Sequence, residues 1–160
     1  MIMRGHVVKL GDDINTDLII SARYTKTLDY QEMSRHVFAD LDPALPGRMA
    51  GSIIVAGENF GIGSSREEAP IAIKEAGCIA VIAPSYARIF FRNAINIGLP
   101  ALKAATDSIA DGDEAEILLQ AGRLIDHTQG FELALEPLPP LMTDILAAGG
   151  LINKLRNRAL

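Results

Sequence analysis

Residues Gly51 to Pro70 read GSIIVAGENFGIGSSREEAP, and the reading of this stretch decides the fold. Ser52 to Ala56 is a short apolar run rich in β-branched side chains, the pattern of a buried strand. A loop punctuated by Gly57, Gly61 and Gly63 follows, and from Glu67 to Ala76 acidic and small apolar residues alternate at helical spacing. Strand, glycine loop and helix start, in that order, favour an anion. First-turn N–H groups lack partners, and the aligned peptide dipoles place about half a positive charge at that end. Ser64 and Ser65 supply hydroxyls that either cap the helix or donate to an oxyanion. Arg66 presents a planar fork suited to a carboxylate or phosphate, or else forms a surface ion pair with Glu67 or a neighbour. No Gly-Lys-Ser/Thr follows the loop and its glycine spacing is not that of a dinucleotide fingerprint, so nucleotide binding is disfavoured.

Outward from the loop, Gly77 ends the helix and Cys78 to Ala83 forms a second buried strand. Pro84-Ser85 introduces Tyr86 to Ile97, where Ile89, Phe90, Ala94 and Ile97 recur at helical spacing among Arg88, Arg92, Asn93 and Asn96, an amphipathic helix. Gly98 stops it, and Leu99 to Leu102 reads as a third short strand. Strand, helix, strand, helix, strand predicts right-handed α/β crossovers around a partly parallel sheet.

Upstream, Gly5 to Leu10 alternates as a strand, and Asp12 to Asp17 carries acidic and amide side chains that favour turns. Within it Thr16 or Asp17 either orients a catalytic arginine or substrate, or belongs to a capped turn. Ser21 to Thr27 reads as a polar loop, Leu28 to Phe38 as a short helix capped near Asp29, and Asp40 to Arg48 as an exposed connection. His36 has no second His or Cys at ligand spacing and reads as structural or solvated. Downstream, Asp111-Gly112-Asp113, Ala115 to Leu119, Gly122-Arg123 and Gly130 to Leu135 are hairpin signals. Leu141 to Leu155 reads as a C-terminal amphipathic helix interrupted at Gly149-Gly150, with a basic last turn.

The 160 residues, 49% of them hydrophobic and 22% charged, predict a single domain spanning residues 1–160 with a real core. A net charge of -5 argues against a nucleic-acid or anionic-membrane surface, because such binding needs clustered Lys and Arg. The one cysteine, Cys78, lies in an apolar run and reads as core; it can build neither an internal disulfide nor a metal site. With no signal peptide and no run of about 20 apolar residues, the expectation is a soluble, cytoplasmic protein with no membrane contact.

Three stretches, Gly11 to Asp17, Gly57 to Glu67 and Arg88 to Pro100, taken together and in this order, resemble the small subunit of 3-isopropylmalate dehydratase and its homoaconitase relatives. The resemblance spans nearly the whole chain. It implies a swivelling-domain fold, a three-layer β/β/α sandwich with a partly parallel sheet flanked by helices. It implies a hydro-lyase that interconverts 2-isopropylmalate and 3-isopropylmalate by dehydration and rehydration in leucine biosynthesis. It also implies a split site: a large subunit carries a [4Fe–4S] cluster on three cysteines, its fourth iron binding the substrate's hydroxyl and carboxylate, and this chain holds no metal or cofactor of its own. Ser64 resembles the family's catalytic serine, which takes the α-proton, and Arg66 the arginine that holds a substrate carboxylate. Ser65 becomes an oxyanion or carboxylate donor, while Thr16 and Asp17 resemble residues lining the same pocket. Tyr24, Thr25, Lys26 and Thr27 occupy the family's substrate-specificity loop. Homoaconitase relatives have Tyr-Leu-Arg-Thr there, and isopropylmalate relatives have more apolar residues. Lys26 can meet a distal carboxylate or offer its alkyl stem to an apolar group. A homoaconitate or methyl-substituted malate is thus the alternative substrate among hydroxy di- and tricarboxylates. A non-catalytic anion-binding module is the reading from a different class.

Overall fold

The computed structural model describes residues 1–159. The apolar β-branched runs form the strands that their composition predicts. β1 (Ile2–Lys9), β2 (Ser52–Val55), β3 (Ala80–Ala83) and β4 (Ala101–Lys103) lie parallel in the order β4-β3-β2-β1. All four residues of β2 and of β3 are buried, as strands covered on both faces require. The sheet continues past β1 through an antiparallel wing, β5 (Glu114–Leu118), β6 (Arg123–Asp126) and β7 (Phe131–Ala134). Register is direct: Val8 faces Ile54 across the parallel pair, and Met3 faces Ile117 across the antiparallel one.

Alternate residues of the parallel strands feed two cores. On one face Val8, Ile54 and Val81 pack with Ile73, Phe90, Ala94 and Ile145 from helices. On the other, Val7, Ile53, Val55 and Ile82 pack with Ala115, Ile117 and Leu124 of the wing. Helices therefore cover one face and the wing folds over the other, which is the expected three-layer β/β/α sandwich. The helices are α1 (Thr16–Ile19), α2 (Tyr30–Ser34), α3 (Glu68–Glu75), α4 (Arg88–Asn96), α5 (Pro140–Ala147) and α6 (Leu151–Ala159). Among the described residues none is long and apolar enough to cross a membrane.

Local departures from the sequence reading have local causes. The wing has a third strand, β6, where a turn at Gly122-Arg123 is expected; its inward Asp126 hides the apolar alternation that would have marked it. The helix expected over Leu28 to Phe38 is capped by Asp29 as predicted, yet α2 ends at Ser34 and turns lead on to Phe38. Buried Phe38 sits at φ +60° and donates its N–H to Ile19 O at 2.7 Å, a conformation no helix continues through. The expected turn before Asp17 instead opens α1, capped by the Asn15 side chain accepting from Leu18 N. The C-terminal helix breaks into α5 and α6 at Gly149 and Gly150, as expected.

Candidate active site

The carboxyl ends of β1, β2 and β3 deliver the three sequence motifs to one place, where α/β sheets bind ligands. A ladder of backbone bonds joins the first two: Gly57 N–H to Gly11 O at 3.0 Å, Asp13 N–H to Glu58 O at 2.8 Å, Gly61 N–H to Ile14 O at 2.8 Å and Thr16 N–H to Ile62 O at 2.8 Å. Phe60 N–H donates to Ser85 O at 3.1 Å, and Ala87 N–H to Phe60 O at 3.0 Å, tying in the third. The polar side chains of the first motif brace this ladder. Asp12 Oδ1 accepts from Glu58 N at 2.8 Å, and Asp13 Oδ1 from Asn59 Nδ2 at 2.9 Å. Below it, fully buried Phe60 packs edge-on against Tyr86 and Phe90, and the Tyr86 hydroxyl donates to Leu102 O at 2.6 Å.

Over this base lies a cleft of about 370 Å³ whose walls include Thr16, Gly61, Gly63, Ser64, Ser65 and Arg66. Ser64 and Ser65 are exposed, and among the described residues neither hydroxyl has a hydrogen-bond partner. Ser64 is held through its backbone: buried Thr16 donates Oγ1 to Ser64 O at 2.8 Å. Arg66 is half-buried, with Nη2 2.5 Å from Asp17 Oδ1 and Nη1 donating to Ile20 O at 3.3 Å. The guanidinium is thereby fixed before any ligand arrives. Thr16, Asp17, Ser64, Ser65 and Arg66 thus come together as the sequence reading groups them.

Two expectations change. The helix after the glycine loop, α3, starts at Glu68 behind Glu67, and neither serine caps it. The helix whose first turn lines the cleft is α4, entered through Ala87 with no side-chain cap and contributing Arg88, Ile89, Phe90 and Asn93. An anion here meets α4's uncapped first turn and two guanidinium groups, whereas the start of α3 is acidic. The second change concerns Ile89, read as part of the apolar face of α4. Phe90, Ala94 and Ile95 are the buried positions, and Ile89 stands 51% exposed in the cleft. Arg88, Ile89 and Asn93 are cleft residues that the sequence reading left as ordinary helix positions. No signal in the sequence singled out Ile89, because adjacent apolar residues of a helix can share one buried stripe, as Ala94 and Ile95 do.

The loop Tyr24, Thr25, Lys26 and Thr27 lies elsewhere. A 3-10 turn spans Ala22–Tyr24, the Tyr24 ring stacks on His36 with centroids 3.9 Å apart, and Arg23 Nη2 pairs with Asp40 at 2.5 Å. Lys26 is exposed and lines a separate pocket with Tyr24, Thr27 and His36. Cys78 is buried in the core on the helix-covered face, Sγ donating to Ala80 O at 3.2 Å, and burial pushes its thiol pKa up. A buried neutral thiol in the core is no ligand for the cleft, and among the described residues no three His, Cys, Asp or Glu side chains gather. The residues of this chain therefore do not fit an iron–sulfur cluster.

Comparison with known proteins gives a consistent family. Residues 3–107 match the aconitase C-terminal domain. The 3-isopropylmalate dehydratase small subunit of Thermodesulfovibrio yellowstonii is 50% identical over 161 residues, covering 99% of this chain and 96% of that one. The methanogen homoaconitase small subunit of Methanothermobacter thermautotrophicus is 48% identical over 153 residues, covering 95% and 89%. A crystal structure of 3-isopropylmalate dehydratase from Methanocaldococcus jannaschii superposes with a TM-score of 0.96 at 48% identity, covering 99% and 96%.

Proposed function

Because the chain belongs to the family of aconitase C-terminal domains, among the small subunits of 3-isopropylmalate dehydratase, we propose that it is the small subunit of a hydro-lyase that interconverts 2-isopropylmalate and 3-isopropylmalate. The observation that carries this reading is the cleft in which exposed Ser64 stands beside a pre-fixed Arg66, where the three motifs meet. Dehydration of a hydroxy diacid removes a proton from one carbon and hydroxide from the next. Rehydration in the opposite sense exchanges the two positions.

Ser64 Oγ is the base we assign to the proton. A free serine alkoxide is strongly disfavoured at neutral pH, so the site must stabilise negative oxygen. Arg66 and Arg88, the cations in the cleft wall, supply that field, with α4's first turn beside them. Arg66 holds a substrate carboxylate in bidentate fashion, and Ser65 donates to the same anion. Asp17 and the Ile20 carbonyl keep the guanidinium from swinging to water. A [4Fe–4S] cluster in a large partner subunit would supply Lewis-acid help to the departing hydroxide; the one cysteine of this chain, buried in its core, is not a ligand for it. The same reading places the enzyme in the cytoplasm, in leucine biosynthesis, with no part for nucleic acid or membrane.

The homoaconitase relative favours a second substrate, homoaconitate, with Lys26 meeting its distal carboxylate. An anaerobic hydratase assay decides. The chain is reconstituted with a cluster-loaded large subunit and offered isopropylmalate, homoaconitate and a methyl-substituted malate. Isopropylmalate is expected to give the highest kcat/KM. With the complex still assembled, Ser64→Ala should lower kcat by about 10²–10⁴-fold; retained full activity in that variant would refute the role of Ser64.

A further inference from the structure

We infer that Ile89 is a residue of this chain that reads the substrate's alkyl substituent, an inference that rests on the hydro-lyase reading above. The cleft offers polar or guanidinium groups at Ser64, Ser65, Arg66, Arg88 and Asn93, all suited to carboxylate and hydroxyl oxygens. An alkyl-substituted hydroxy diacid also brings a branched apolar group, which binds by losing contact with water rather than by hydrogen bonding. Among the residues lining the cleft, Ile89 is the one large apolar side chain exposed to it: Phe90 is 3% exposed, its ring committed to Phe60 and Tyr86.

Its exposure follows from helix geometry. Phe90 and Ala94, four residues apart, lie on the core stripe of α4, while Ile89 and Asn93, also four apart, form an adjacent stripe along the cleft wall. An isoleucine left 51% exposed beside cationic residues keeps about half its surface in water, and covering it with an alkyl group removes that surface from water. The loop Tyr24 to Thr27 lines a separate pocket of this chain, so Ile89 acts beside that loop and not in its place. Ile89 thus sets selectivity by the size of the substituent, and the arginines set it by charge.

The test is the ratio of kcat/KM for isopropylmalate to that for a methyl-substituted malate, measured on the reconstituted complex. Ile89→Ala should lower this ratio roughly tenfold, the scale of discrimination by one or two methylenes in an apolar pocket. Ile89→Leu, which conserves volume, should keep it within about threefold of wild type. Subunit affinity is measured alongside. An equal loss for both substrates together with weakened assembly would make Ile89 a partner contact and overturn the inference. An unchanged ratio in an active Ile89→Ala complex would overturn it while leaving the hydro-lyase reading intact. A wild-type complex that turns over no isopropylmalate would instead overturn that reading, and this inference with it.

Discussion

Gly61 shows how closely the glycine loop is packed onto its base. It has φ +85°, and a Cβ there would lie 2.4 Å from Phe90 Cγ and 2.5 Å from Phe90 Cβ. The neighbour is a buried ring already wedged against Phe60 and Tyr86, so it has no room to retreat. Gly61→Ala combines left-handed backbone strain with overpacking and should cost roughly 2–4 kcal/mol. Urea unfolding of the isolated chain measures this, and activity of the complex should fall with it as Ser64 shifts. Gly11→Ala is the control: its Cβ would meet nothing within 4 Å and its φ is not in the left-handed region, so stability should move by less than about 0.5 kcal/mol. At this scale much of the site was legible, because Ser64, Ser65 and Arg66 follow a glycine loop whose chemistry can be read from residue types. Thr16 was legible only as a candidate. That its hydroxyl anchors the Ser64 carbonyl is a contact across 48 residues of sequence.

At the scale of elements, α4 joins the cleft to the C-terminal helices. Its start lines the cleft, and its end stops at Gly98, φ +84°, where a Cβ would lie 2.7 Å from both Gly149 C and Gly149 O. Gly150 on the other side would bring a Cβ to 2.9 Å from Asn96 O. The break between α5 and α6 is therefore also the seat for the end of α4, and glycines on both sides permit the approach. Gly98→Ala must push backbone from backbone. A loss of roughly 2–3 kcal/mol corresponds to a Tm fall of roughly 5–10 °C in a chain of this size. Because α4 is one rigid element, displacement of its end should reach Arg88 and Ile89, and kcat/KM should fall several-fold at temperatures where the variant is still folded. Thermal melts and assays on the same preparation check both. The strands β2 and β3 and helix α4 were legible from period and punctuation. β6 was not, because an inward carboxylate broke the pattern on which strand recognition depends.

For the whole molecule, the join between the parallel sheet and the wing rests on buried polar groups. Val7 N–H donates to Asp113 O at 2.7 Å and Gly112 N–H to Val7 O at 2.9 Å, while Lys9 Nζ reaches Ile109 O at 2.8 Å. Asp113 and fully buried Asp126 lie together here, held by Gln129, whose side chain donates to Asp113 and whose N–H donates to Asp126 Oδ1. Among the described residues Asp126 Oδ2 has no hydrogen-bond partner. Burial first, and then neighbouring Asp113, raise the Asp126 pKa; the adjoining Asp126 carboxyl first, and then Gln129, lower that of Asp113. The two signs oppose each other. Stability from Asp113 is present above the ordinary carboxylate pKa of about 3.9 and is lost as pH falls through its depressed native value. Asp126 favours the folded state while protonated, and that contribution fades as pH rises from about 3.9 through its raised native value. Asp126→Asn keeps a neutral donor toward Asp113 without the buried charge. It should raise Tm by a few degrees at pH 7, with the gain shrinking toward zero as pH falls below about 4, as a pair of melting series across pH would show.

Residue type and spacing by themselves determined the α/β class, the partly parallel sheet, the glycine loop with its hydroxyl and guanidinium side chains, and through three motifs the family. These are local properties, set by apolar period, turn chemistry and the donors each side chain carries. Only the tertiary structure decided that α4 rather than α3 aims its first turn at the cleft, that Asp17 holds Arg66, that Lys26 lies in a different pocket and that Ile89 is exposed among charges. Each of these depends on how loops from separate strands cross at the sheet's carboxyl edge, and on which of two adjacent helix stripes finds a core already filled. Neither is a property of any window of sequence, because the packing that selects them comes from residues far along the chain.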